Sequence, residues 1–414
     1  MKTIFHVDVN NAFLSWSAVN HLTEGGDVDY RAIPAVVARE GENGGGIVLA
    51  KSMAAKKAGV VTGEVLWQAR RKCPDLYIVP PDYRAYVRAS RAMRALLDEY
   101  SPLVEPFSID ECFLDMTGTE SLFGPAEDAA AAIKDRIYRE LGFTVNVGAG
   151  AVKVAAKMAS DWEKPNRVHT LWPSEIREKL WPMPLSFLFM AGKSVVASFE
   201  RVGVRTVGDL ARLSPRLVAE EYGKGALRLW RYANGEDDSP VCPVSSPPKS
   251  VSKGITFSHP LPSLAACEDV LLSVAEELGY ELSEKKMNGT VVTVSWKTPS
   301  YRRFSRRRCF TEGIFYYADI FAKAAALFRE SYRGGAVKYL CVTVSDLSFE
   351  RRGEGNLFAA DDEKEERLAN TIYDLKRRYG KSALTTARSL GSGGVRLFER
   401  GAEREEGEKR FLGL

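Results

Sequence analysis

Hydrophobic and polar positions in the first 165 residues follow two periods, which predict strands and helices in turn. The apolar stretch at 3–9 is typical of a strand, and the residues after it indicate a short helix. In the helix predicted from residue 83, the apolar residues that share one face are Tyr86, Ala89, Met93, Leu96 and Leu97. From residue 77 the predicted order is β-α-β-β-α-β-α, and strand 3–9 joins the same sheet. We therefore predict an α+β sheet with helices packed on one face, in which 143–152 forms a half-buried strand.

The hydrophobic pattern changes in the next part of the chain. Short helices separated by glycine turns are predicted over 174–236. Thr206 and Asp209 have the spacing of a capping box, so one of these helices is expected to begin there. Prolines and serines then mark 237–250 as a linker.

A second α+β unit is predicted over 251–350, with strands near 289–296 and 337–345. The charged, glycine-rich stretch that follows contains one amphipathic helix near 362–379. The apolar face of that helix comprises Leu368, Ile372 and Leu375.

Composition adds a preference for a polyanionic partner. A chain of 414 residues suggests two to four domains, at about 150 residues each, and 45% hydrophobic residues supply ordinary packed cores. The net charge is only +4, but it is unevenly distributed: five arginines lie in 301–309, whereas 361–366 is mostly acidic. Such asymmetry favours binding to a polyanion.

Cysteine usage and hydropathy bear on the compartment. The six cysteines show no CxxC spacing, which argues against a zinc ribbon or a disulfide framework and fits a reducing environment. No apolar run approaches the roughly 18 residues of a membrane span, and the N-terminus lacks the apolar core of a signal peptide. We therefore expect a cytoplasmic protein without a membrane partner.

Two adjacent acids, Asp110 and Glu111, lie between short apolar runs, where ionised carboxylates are costly to bury. They could cap a turn between two strands. They could form an acid/base pair of the glycosidase type, although neighbours in sequence are poorly placed to flank a scissile bond. The third possibility is a shared cation site, for which Asp8, at the end of an apolar strand, offers another carboxylate. Mg²⁺ suits such a site, because it binds one or two carboxylates and leaves room for substrate phosphates.

Three stretches of sequence carry a family resemblance: HVDVNNAF from residue 6, PFSIDECFLDMTG from 106 and GAGAVKVAAKMASDWEKPN from 148. In this order and spacing they resemble the Y-family translesion DNA polymerases of the bacterial DNA polymerase IV type, over roughly residues 1–350. The resemblance implies an α+β right-hand polymerase with a ferredoxin-like palm, small fingers, a helix-hairpin-helix thumb and an α+β little finger.

The implied domain boundaries place the linker between thumb and little finger. They are 1–15 and 75–165 for the palm, 16–74 for the fingers, 166–240 for the thumb, 241–250 for the linker, 251–350 for the little finger and 351–414 for a charged C-terminal tail. The implied activity is lesion bypass by a monomer, which adds dNTPs to the primer end of primer-template DNA.

The resemblance also implies roles for the acids. Asp8, Asp110 and Glu111 would hold two Mg²⁺ ions, with the backbone carbonyl of Val9 as a further ligand. Phe13, five residues after Asp8, matches the steric gate that excludes a 2′-hydroxyl, the group by which proteins distinguish RNA from DNA. From the residues alone, Phe13 would be a core residue of an amphipathic helix.

The chain departs from the family pattern where the triphosphate binds. Met53 and Lys56 occupy positions that supply a tyrosine and an arginine elsewhere in the family, and lysine lacks the bidentate fork of arginine. The family's other phosphate-binding lysine corresponds to Lys157. We expect weaker nucleotide binding than is usual in the family, or compensation from Lys51 or Lys57.

Further residues are predicted to contact DNA. The glycine turns at Gly192, Gly223 and Gly225 resemble the hairpins of the thumb, which offer backbone N–H groups to phosphates. The sequence GKS at 192–194 is not a P-loop, because Phe187 stands where that loop needs glycine. In the little finger, the residues expected at the phosphates are Lys253, Arg306, Arg307 and Arg308; otherwise the arginines would be a solvated face.

The chain ends in KRFLGL, which resembles the peptide by which these polymerases bind the sliding clamp. Phe411, Leu412 and Leu414 are its expected contacts, although Lys409 replaces the usual glutamine. The stretch 354–358 is a second candidate, and chance apolar residues in a tail are the alternative.

Two other functions are compatible with the sequence. The substitutions at Met53 and Lys56 leave open a non-catalytic or weakly catalytic DNA-binding scaffold on the same fold. A catalytic subunit of the polymerase V type, which needs accessory proteins, shares the same motifs. The three acids favour catalysis, because a pure scaffold has no need of three destabilising carboxylates.

Overall fold

The computed structural model describes residues 2–41, 45–244, 246–349, 360–380 and 383–384. The described chain forms two compact units that divide between Ser245 and Ser246, within the predicted linker. No helix in the described residues is both long and apolar enough to cross a membrane.

The first unit combines eight short strands with helices of 4 to 19 residues in the described ranges. The strands are β1 (Ile4–Val9), β2 (Ala35–Val37), β3 (Ala50–Lys51), β4 (Tyr77–Val79), β5 (Val104–Pro106), β6 (Glu111–Asp115), β7 (Val145–Gly150) and β8 (Val168–Leu171). The α-helices are α1 (Ala12–Thr23), α2 (Met53–Lys57), α3 (Leu66–Lys72), α4 (Tyr83–Asp98), α5 (Glu120–Phe123), α6 (Ala126–Leu141), α7 (Lys153–Ser160), α8 (Lys193–Glu200), α9 (Val207–Ala211) and α10 (Pro215–Ala233).

Five of these strands form the sheet that carries the predicted acids, in the order β5-β6-β1-β7-β8. Strand β1 lies antiparallel between β6 and β7, and β8 runs parallel to β7. Alternate residues of β1, namely Phe5, Val7 and Val9, enter the main core with the buried faces of α4 and α6. The intervening residues of β1 therefore face the other side of the sheet.

Helix α7 packs on that other side, so the prediction of helices on one face only was wrong. A Cβ atom at Gly148 would lie 2.1 Å from the carbonyl oxygen of Ala156, so only glycine permits α7 to approach β7 this closely. The prediction of a half-buried strand was wrong for the same reason, because β7 is covered on both faces and all six of its residues are buried.

Strand membership differs from the prediction at two places. Strand β4, predicted to join the sheet of β1, instead pairs in parallel with β2 in a separate three-stranded sheet, β3-β2-β4. The partner β2 has only three residues, too few to show a strand period in the sequence. The large sheet gains β8, which begins at Val168, beyond the predicted end of the palm at residue 165.

The helical region after β8 follows the prediction closely. The capping box of α9 is confirmed: Thr206 Oγ1 accepts the N–H of Asp209 at 3.0 Å, and the Asp209 carboxylate accepts the N–H of Thr206 at 2.9 Å. Helix α10 is interrupted at Gly223, where φ is 80°. Glycine adopts this conformation without a Cβ penalty, so the predicted glycine turn is a break within a longer helix.

The start of the predicted linker is fastened to the first unit. Val241 is buried against Ile4, Phe113 and Ala156. The Glu105 carboxylate accepts the backbone N–H of Cys242 at 2.7 Å, and both of its oxygens lie 2.7 Å from Lys153 Nζ. The linker is therefore anchored through residue 242.

The second unit is a four-stranded antiparallel sheet, confirming the predicted α+β architecture. Its elements are β9 (Ser250–Leu261), α11 (Leu264–Glu284), β10 (Asn288–Lys297), β11 (Arg303–Ile314), α12 (Tyr317–Ser331), β12 (Val337–Ser348) and α13 (Ala360–Tyr379). The strand order is β11-β10-β12-β9. Helices α11 and α12 share a core with one face of the sheet, which includes Val292, Val294 and Val342.

Helix α13 confirms the amphipathic helix predicted near 362–379, but its buried face differs. Leu368 and Leu375, expected on the apolar face, are 53% and 37% exposed. Tyr373 is buried instead and packs against Tyr280. The Tyr373 hydroxyl lies 2.4 Å from the position that a Cβ of Gly279 would occupy. Because Gly279 has no side chain, the face of α13 that carries Tyr373 can pack there.

Candidate functional site

The pairing of β1 with β6 brings two of the predicted acids together. Asp8 and Glu111 are directly opposite each other in the antiparallel register, and they point to the α7 side of the sheet with His6. Val9 ends β1, and its N–H donates to the carbonyl oxygen of Asp110 at 3.0 Å. Asp8 and Glu111, which are 103 positions apart in the sequence, thus become neighbours through strand pairing.

Lys157 links the two carboxylates. This lysine projects from α7 and is only 6% exposed. Its Nζ lies 3.4 Å from Asp8 Oδ2, 3.1 Å from Glu111 Oε1 and 3.2 Å from Asp161 Oδ1. A single buried ammonium group therefore contacts three carboxylates.

Lys164 is a second cation at the site, which the sequence interpretation missed. Its Nζ lies 3.1 Å from Asp8 Oδ1 and 3.0 Å from Asp161 Oδ1, and its side chain is 35% exposed. The signal that could have found it is its place in the KPN segment of the third resembling stretch.

Burial and neighbouring charges shift the pKa values of the two facing acids in opposite directions. Burial, the strongest influence, raises the pKa of Asp8 to about 7, and Lys164 and Lys157 offset only part of it. Burial also acts on Glu111, but His6 and Lys157 together outweigh it and lower the pKa of this carboxyl to about 2. The carboxylates in turn outweigh burial and raise the pKa of both lysines. Glu111 is therefore the firmly ionised member of the pair.

Asp110 lies beside the pair, but its carboxylate is bound locally. Oδ1 accepts the hydroxyl of Ser108 at 2.5 Å. Burial raises the pKa of Asp110, and the Ser108 hydrogen bond opposes that effect. The structure brings Asp8 and Glu111 to a common lysine, whereas Asp110 is turned toward the loop between β5 and β6.

The oxygen donors at the acids could bind a divalent cation. In the described ranges, no group of three or more histidine, cysteine, aspartate and glutamate side chains is arranged to hold a metal ion. Asp8 and Glu111 nevertheless fit a hard cation, because they are oxygen donors that share one positive group, the ammonium of Lys157. A cation at this position would replace a lysine charge between the same two oxygens.

His6 lies beneath the acids and was not singled out by its sequence. Its ring is fully buried against Phe113 at 4.5 Å between centroids. Nδ1 lies 2.7 Å from Ser160 Oγ, and Nε2 lies 3.5 Å from Glu111 Oε2. Burial, the strongest influence, lowers the pKa of His6, so the ring is neutral near neutral pH.

Phe13 lies in an aromatic cluster at the start of α1. Its ring stacks on Tyr86 at 4.6 Å between centroids, with an interplanar angle of 9°, and meets the edge of Tyr83 at 5.9 Å. The hydroxyl of fully buried Tyr86 is hydrogen-bonded to Ser17 Oγ at 2.8 Å. The half-buried Phe13 is thus supported from below by a fixed ring, with part of its surface left accessible.

The predicted triphosphate residues form an exposed basic area on and beside α2. Met53, the first residue of this helix, is 50% exposed. Burial, followed by the charge of Lys56, lowers the pKa of Lys51, which indicates that the two ammonium groups are close. Lys51 Nζ also contacts Thr62 Oγ1 at 3.2 Å.

The thumb glycines lie at open surface. A Cβ at Gly192, Gly223 or Gly225 would meet nothing within 4 Å. Gly192 precedes α8 as its N-cap, and the other two lie at the break in α10. The space over all three glycines is therefore open, although the Gly192 N–H already donates to the carbonyl oxygen of Met190 at 2.9 Å.

The predicted basic residues of the second unit differ in exposure. Arg306, Arg307 and Arg308 are exposed on β11, an edge strand, and Arg308 forms an ion pair with Glu330 at 2.9 Å. Arg307 is opposite Thr293, on the sheet face away from α11 and α12. Lys253 contradicts the prediction of a DNA contact: it is 6% exposed, and its Nζ lies 3.0 Å from the buried Glu281.

The predicted clamp contacts Phe411, Leu412 and Leu414, and the alternative segment 354–358, lie outside the described residues. They stay predictions.

Comparisons with known proteins place these features in a family. The impB/mucB/samB family matches residues 7–161, and the impB/mucB/samB family C-terminal domain matches residues 248–357. The first match spans Asp8, Asp110, Glu111 and Lys157, and the second spans the sheet of the second unit.

Three curated relatives cover nearly the whole chain. DNA polymerase IV of Clostridium acetobutylicum is 36% identical over 92% of this chain and 97% of the relative. DNA polymerase IV of Acetivibrio thermocellus is 32% identical over 97% and 99%, and DNA polymerase IV 2 of Bacillus subtilis is 32% identical over 97% and 98%.

A solved structure shows the same fold. A Y-family DNA polymerase chimera aligns with a TM-score of 0.70 at 23% identity, over 83% of this chain and 98% of the chimera. This likeness confirms the predicted α+β polymerase fold. Together with the family matches and the curated relatives, it shows that the chain belongs to the impB/mucB/samB family of Y-family DNA polymerases.

Proposed function

We propose that this chain is a template-directed DNA polymerase of the lesion-bypass kind, which transfers nucleotides from dNTPs to a primer 3′-hydroxyl. The observation that carries the proposal is the pairing of Asp8 with Glu111 around Lys157, in a chain whose relatives are DNA polymerase IV proteins. Primer-template DNA and dNTPs are the substrates that this activity requires. The chain acts as a monomer in this proposal.

The acids would hold the divalent cations on which such a reaction depends. Asp8, Asp110, Glu111 and the backbone carbonyl of Val9 are the candidate ligands for two Mg²⁺ ions. When bound, the ions supply activation of the attacking hydroxyl and charge stabilisation at the phosphate. Asp8 and Glu111 are held ready for this role by a lysine whose ammonium group already lies between them.

The cations of the chain would position the nucleotide. Lys157 and the more exposed Lys164 lie at the acids, where their charge can attract a triphosphate. Lys56 and Lys51 offer further point charges on the fingers side, in place of the tyrosine and arginine that the family pattern supplies. Phe13, stacked on Tyr86, is the candidate gate beneath the sugar of the incoming nucleotide.

DNA binding would draw on both units. Gly192, Gly223 and Gly225, over which the surface is open, are the candidate phosphate contacts of the first unit. Arg306, Arg307 and Arg308 present positive charge along an edge strand, and buried Lys253 is left out. The C-terminal peptide with Phe411, Leu412 and Leu414 remains our candidate for sliding-clamp binding, and deletion of 409–414 tests it by loss of clamp affinity.

Primer extension with Mg²⁺ tests the proposed function. We expect extension by the wild type and loss of extension in Asp110→Ala and Glu111→Ala, because each variant removes a candidate metal ligand. Asp115→Ala is the matched control, since Asp115 lies at the far end of β6, opposite Ile4. It should leave extension unchanged.

Failure of the wild type to extend any primer would contradict the proposal. Recovery of extension after addition of accessory proteins would then favour a polymerase V type of subunit. Persistent inactivity together with DNA binding would favour the scaffold.

A further inference from the structure

His6 is buried with one nitrogen aimed at a candidate metal ligand. The ring is 0% exposed, and Nε2 has no hydrogen-bond partner within ordinary geometry, although Glu111 Oε2 lies 3.5 Å from it. A buried polar nitrogen without a partner is costly. Its position beneath Glu111 therefore requires an explanation that the folding of the sheet does not supply.

Two arrangements of hydrogen atoms fit the distances around the ring. In a neutral imidazole one nitrogen carries the hydrogen and the other accepts. If Ser160 Oγ donates to the carbonyl oxygen of Lys157, 2.9 Å away, then Nδ1–H must donate to Ser160, and the Nε2 lone pair faces the Glu111 carboxylate. If Ser160 Oγ donates to Nδ1, 2.7 Å away, then Nε2–H points to Glu111.

The second arrangement is favoured by electrostatics. The first one opposes a lone pair to an ionised carboxylate inside the protein, where such repulsion is weakly screened. The second one forms a continuous chain, in which the Ser160 hydroxyl donates to Nδ1 and Nε2–H faces Glu111 Oε2. On the other side, Lys157 Nζ contacts Glu111 Oε1 at 3.1 Å, so Lys157 and Nε2–H would face different oxygens of the carboxylate, the second across 3.5 Å.

We propose that His6 is a positioning residue, which directs its Nε2–H at Glu111 and fixes the orientation of that carboxylate. Ser160 sets the tautomer of the ring, and Lys157 holds the second carboxylate oxygen. A neighbour that orients a metal-binding carboxylate typically changes metal affinity or activity by about 10- to 100-fold when it is lost. The proposal rests on the proposed polymerase function for its effect on rate, but its structural part does not.

The tautomer is tested directly by long-range ¹H–¹⁵N correlation spectra of the full, metal-free chain with labelled histidine. The His6 signals are assigned by their loss in His6→Gln. We expect the hydrogen on Nε2 in the wild type, and a mixture of tautomers in Ser160→Ala. A hydrogen found on Nδ1 in the wild type would overturn the proposal.

The positioning role is tested with two variants of opposite character. His6→Gln keeps an N–H donor near the position of Nε2, whereas His6→Phe keeps an apolar ring beside Phe113 without a donor. We expect kcat for primer extension to fall about 10- to 100-fold in His6→Phe and to recover partly in His6→Gln. KM for the dNTP should not change, because His6 does not reach the nucleotide.

Thermal stability should follow the reverse order, since phenylalanine suits a buried site better than an amide does. A purely structural role predicts that kcat follows stability, with His6→Phe at least as active as His6→Gln, and that outcome would refute the proposal. His21→Phe is the matched control. His21 stacks on Tyr30 at 4.7 Å, and its replacement should leave kcat unchanged.

Mn²⁺ binding, measured by electron paramagnetic resonance without DNA or dNTP, separates this proposal from the proposed function. We expect binding about 10- to 100-fold weaker in His6→Phe than in the wild type. If the wild type fails to extend primers, the polymerase function is wrong, but the tautomer and the Mn²⁺ affinity still decide the role of His6. Equal Mn²⁺ affinity in the wild type and His6→Phe would count against it.

Discussion

The residues around the acids show how burial changes the pKa of ordinary side chains. Asp8 is 7% exposed, and burial raises its pKa to about 7. Lys157 and Lys164 compensate its charge by direct contact. The site therefore holds two acids and two lysines in direct contact, so that each of these charges has an opposite charge beside it.

Replacing Phe13 tests how the protein discriminates between ribonucleotides and deoxyribonucleotides. In the proposed function the Phe13 ring, which stacks on Tyr86, lies beneath the sugar of the incoming nucleotide, so we expect Phe13→Ala to admit a 2′-hydroxyl. We expect the ratio of kcat/KM for ribonucleotides to that for deoxyribonucleotides to rise by about 10- to 100-fold. Tyr86→Phe, which keeps the stacked ring, is the matched control. An unchanged ratio in Phe13→Ala would return Phe13 to a role in the core.

Replacing Lys51 tests whether this lysine contributes to nucleotide affinity. It lies close enough to Lys56 for the charge of Lys56 to lower the pKa of Lys51, so the two lysines can share a phosphate. Lys51→Ala should raise KM for the dNTP about 10-fold or more, the effect of losing one hydrogen bond to a charged group, which is worth about 1.5–3 kcal/mol.

Lys72→Ala is a suitable control for Lys51→Ala, because Lys72 is paired with Glu64. Wild-type affinity equal to that of an enzyme with the tyrosine and arginine, and unaffected by Lys51→Ala, would defeat the idea of compensation.

At the scale of elements, the register of β11 separates three arginines that are adjacent in sequence. Arg307 is opposite Thr293, on the face of the sheet without helices, whereas Arg306 and Arg308 are opposite Val294 and Val292 of the helix-covered face. Arg308 is bound to Glu330. The three side chains are therefore not equivalent as phosphate contacts.

The arginines carry a prediction about the salt dependence of DNA binding. Arg307→Ala should reduce the slope of log K against log salt by about 1, the contribution of one phosphate contact. Arg308→Ala should reduce it less, because Glu330 already neutralises that charge. Fluorescence anisotropy over a range of salt concentrations measures both, and equal slopes in the wild type and a triple alanine variant of Arg306, Arg307 and Arg308 would exclude this strand as a DNA contact.

At the scale of the whole molecule, the linker is shorter than its sequence indicates. The Glu105 carboxylate holds the Cys242 N–H and Lys153, and Val241 is buried beside β1. We call this arrangement the linker clasp. It holds the chain against the first unit as far as Cys242, so the linker begins after that residue.

Glu105→Ala should open the linker clasp. Loss of the carboxylate leaves the exposed Cys242 N–H without this acceptor and leaves Lys153 with the Pro240 carbonyl oxygen, 3.3 Å away. A lost hydrogen bond of about 0.5–1.5 kcal/mol should accelerate hydrogen exchange at residues 241–242 by about 2- to 10-fold. Glu99→Ala removes an acid paired with Arg136 and should not alter exchange there. Unchanged exchange in Glu105→Ala would show that burial of Val241 alone holds the linker.

The sequence by itself determined the elements and the chemistry. Apolar periodicity gave the helix with Tyr86 and Met93, the spacing of Thr206 and Asp209 gave a helix start, and the position of Asp8 after an apolar strand identified it as an unusual charge. These signals are local, since helix periods, caps and turns depend on residues within a few positions of one another.

Only the tertiary structure decided which residues and strands contact one another. Which sheet β4 joins, the packing of α7 over Gly148, the burial of Lys253 against Glu281 and the contact of Lys164 with Asp8 all depend on residues that are distant in sequence. The periodicity of apolar residues predicts whether a side chain is buried or exposed, but not which residues it contacts. The sequence therefore identified the acids, and only the fold showed that two lysines contact them and that a buried histidine lies beneath Glu111.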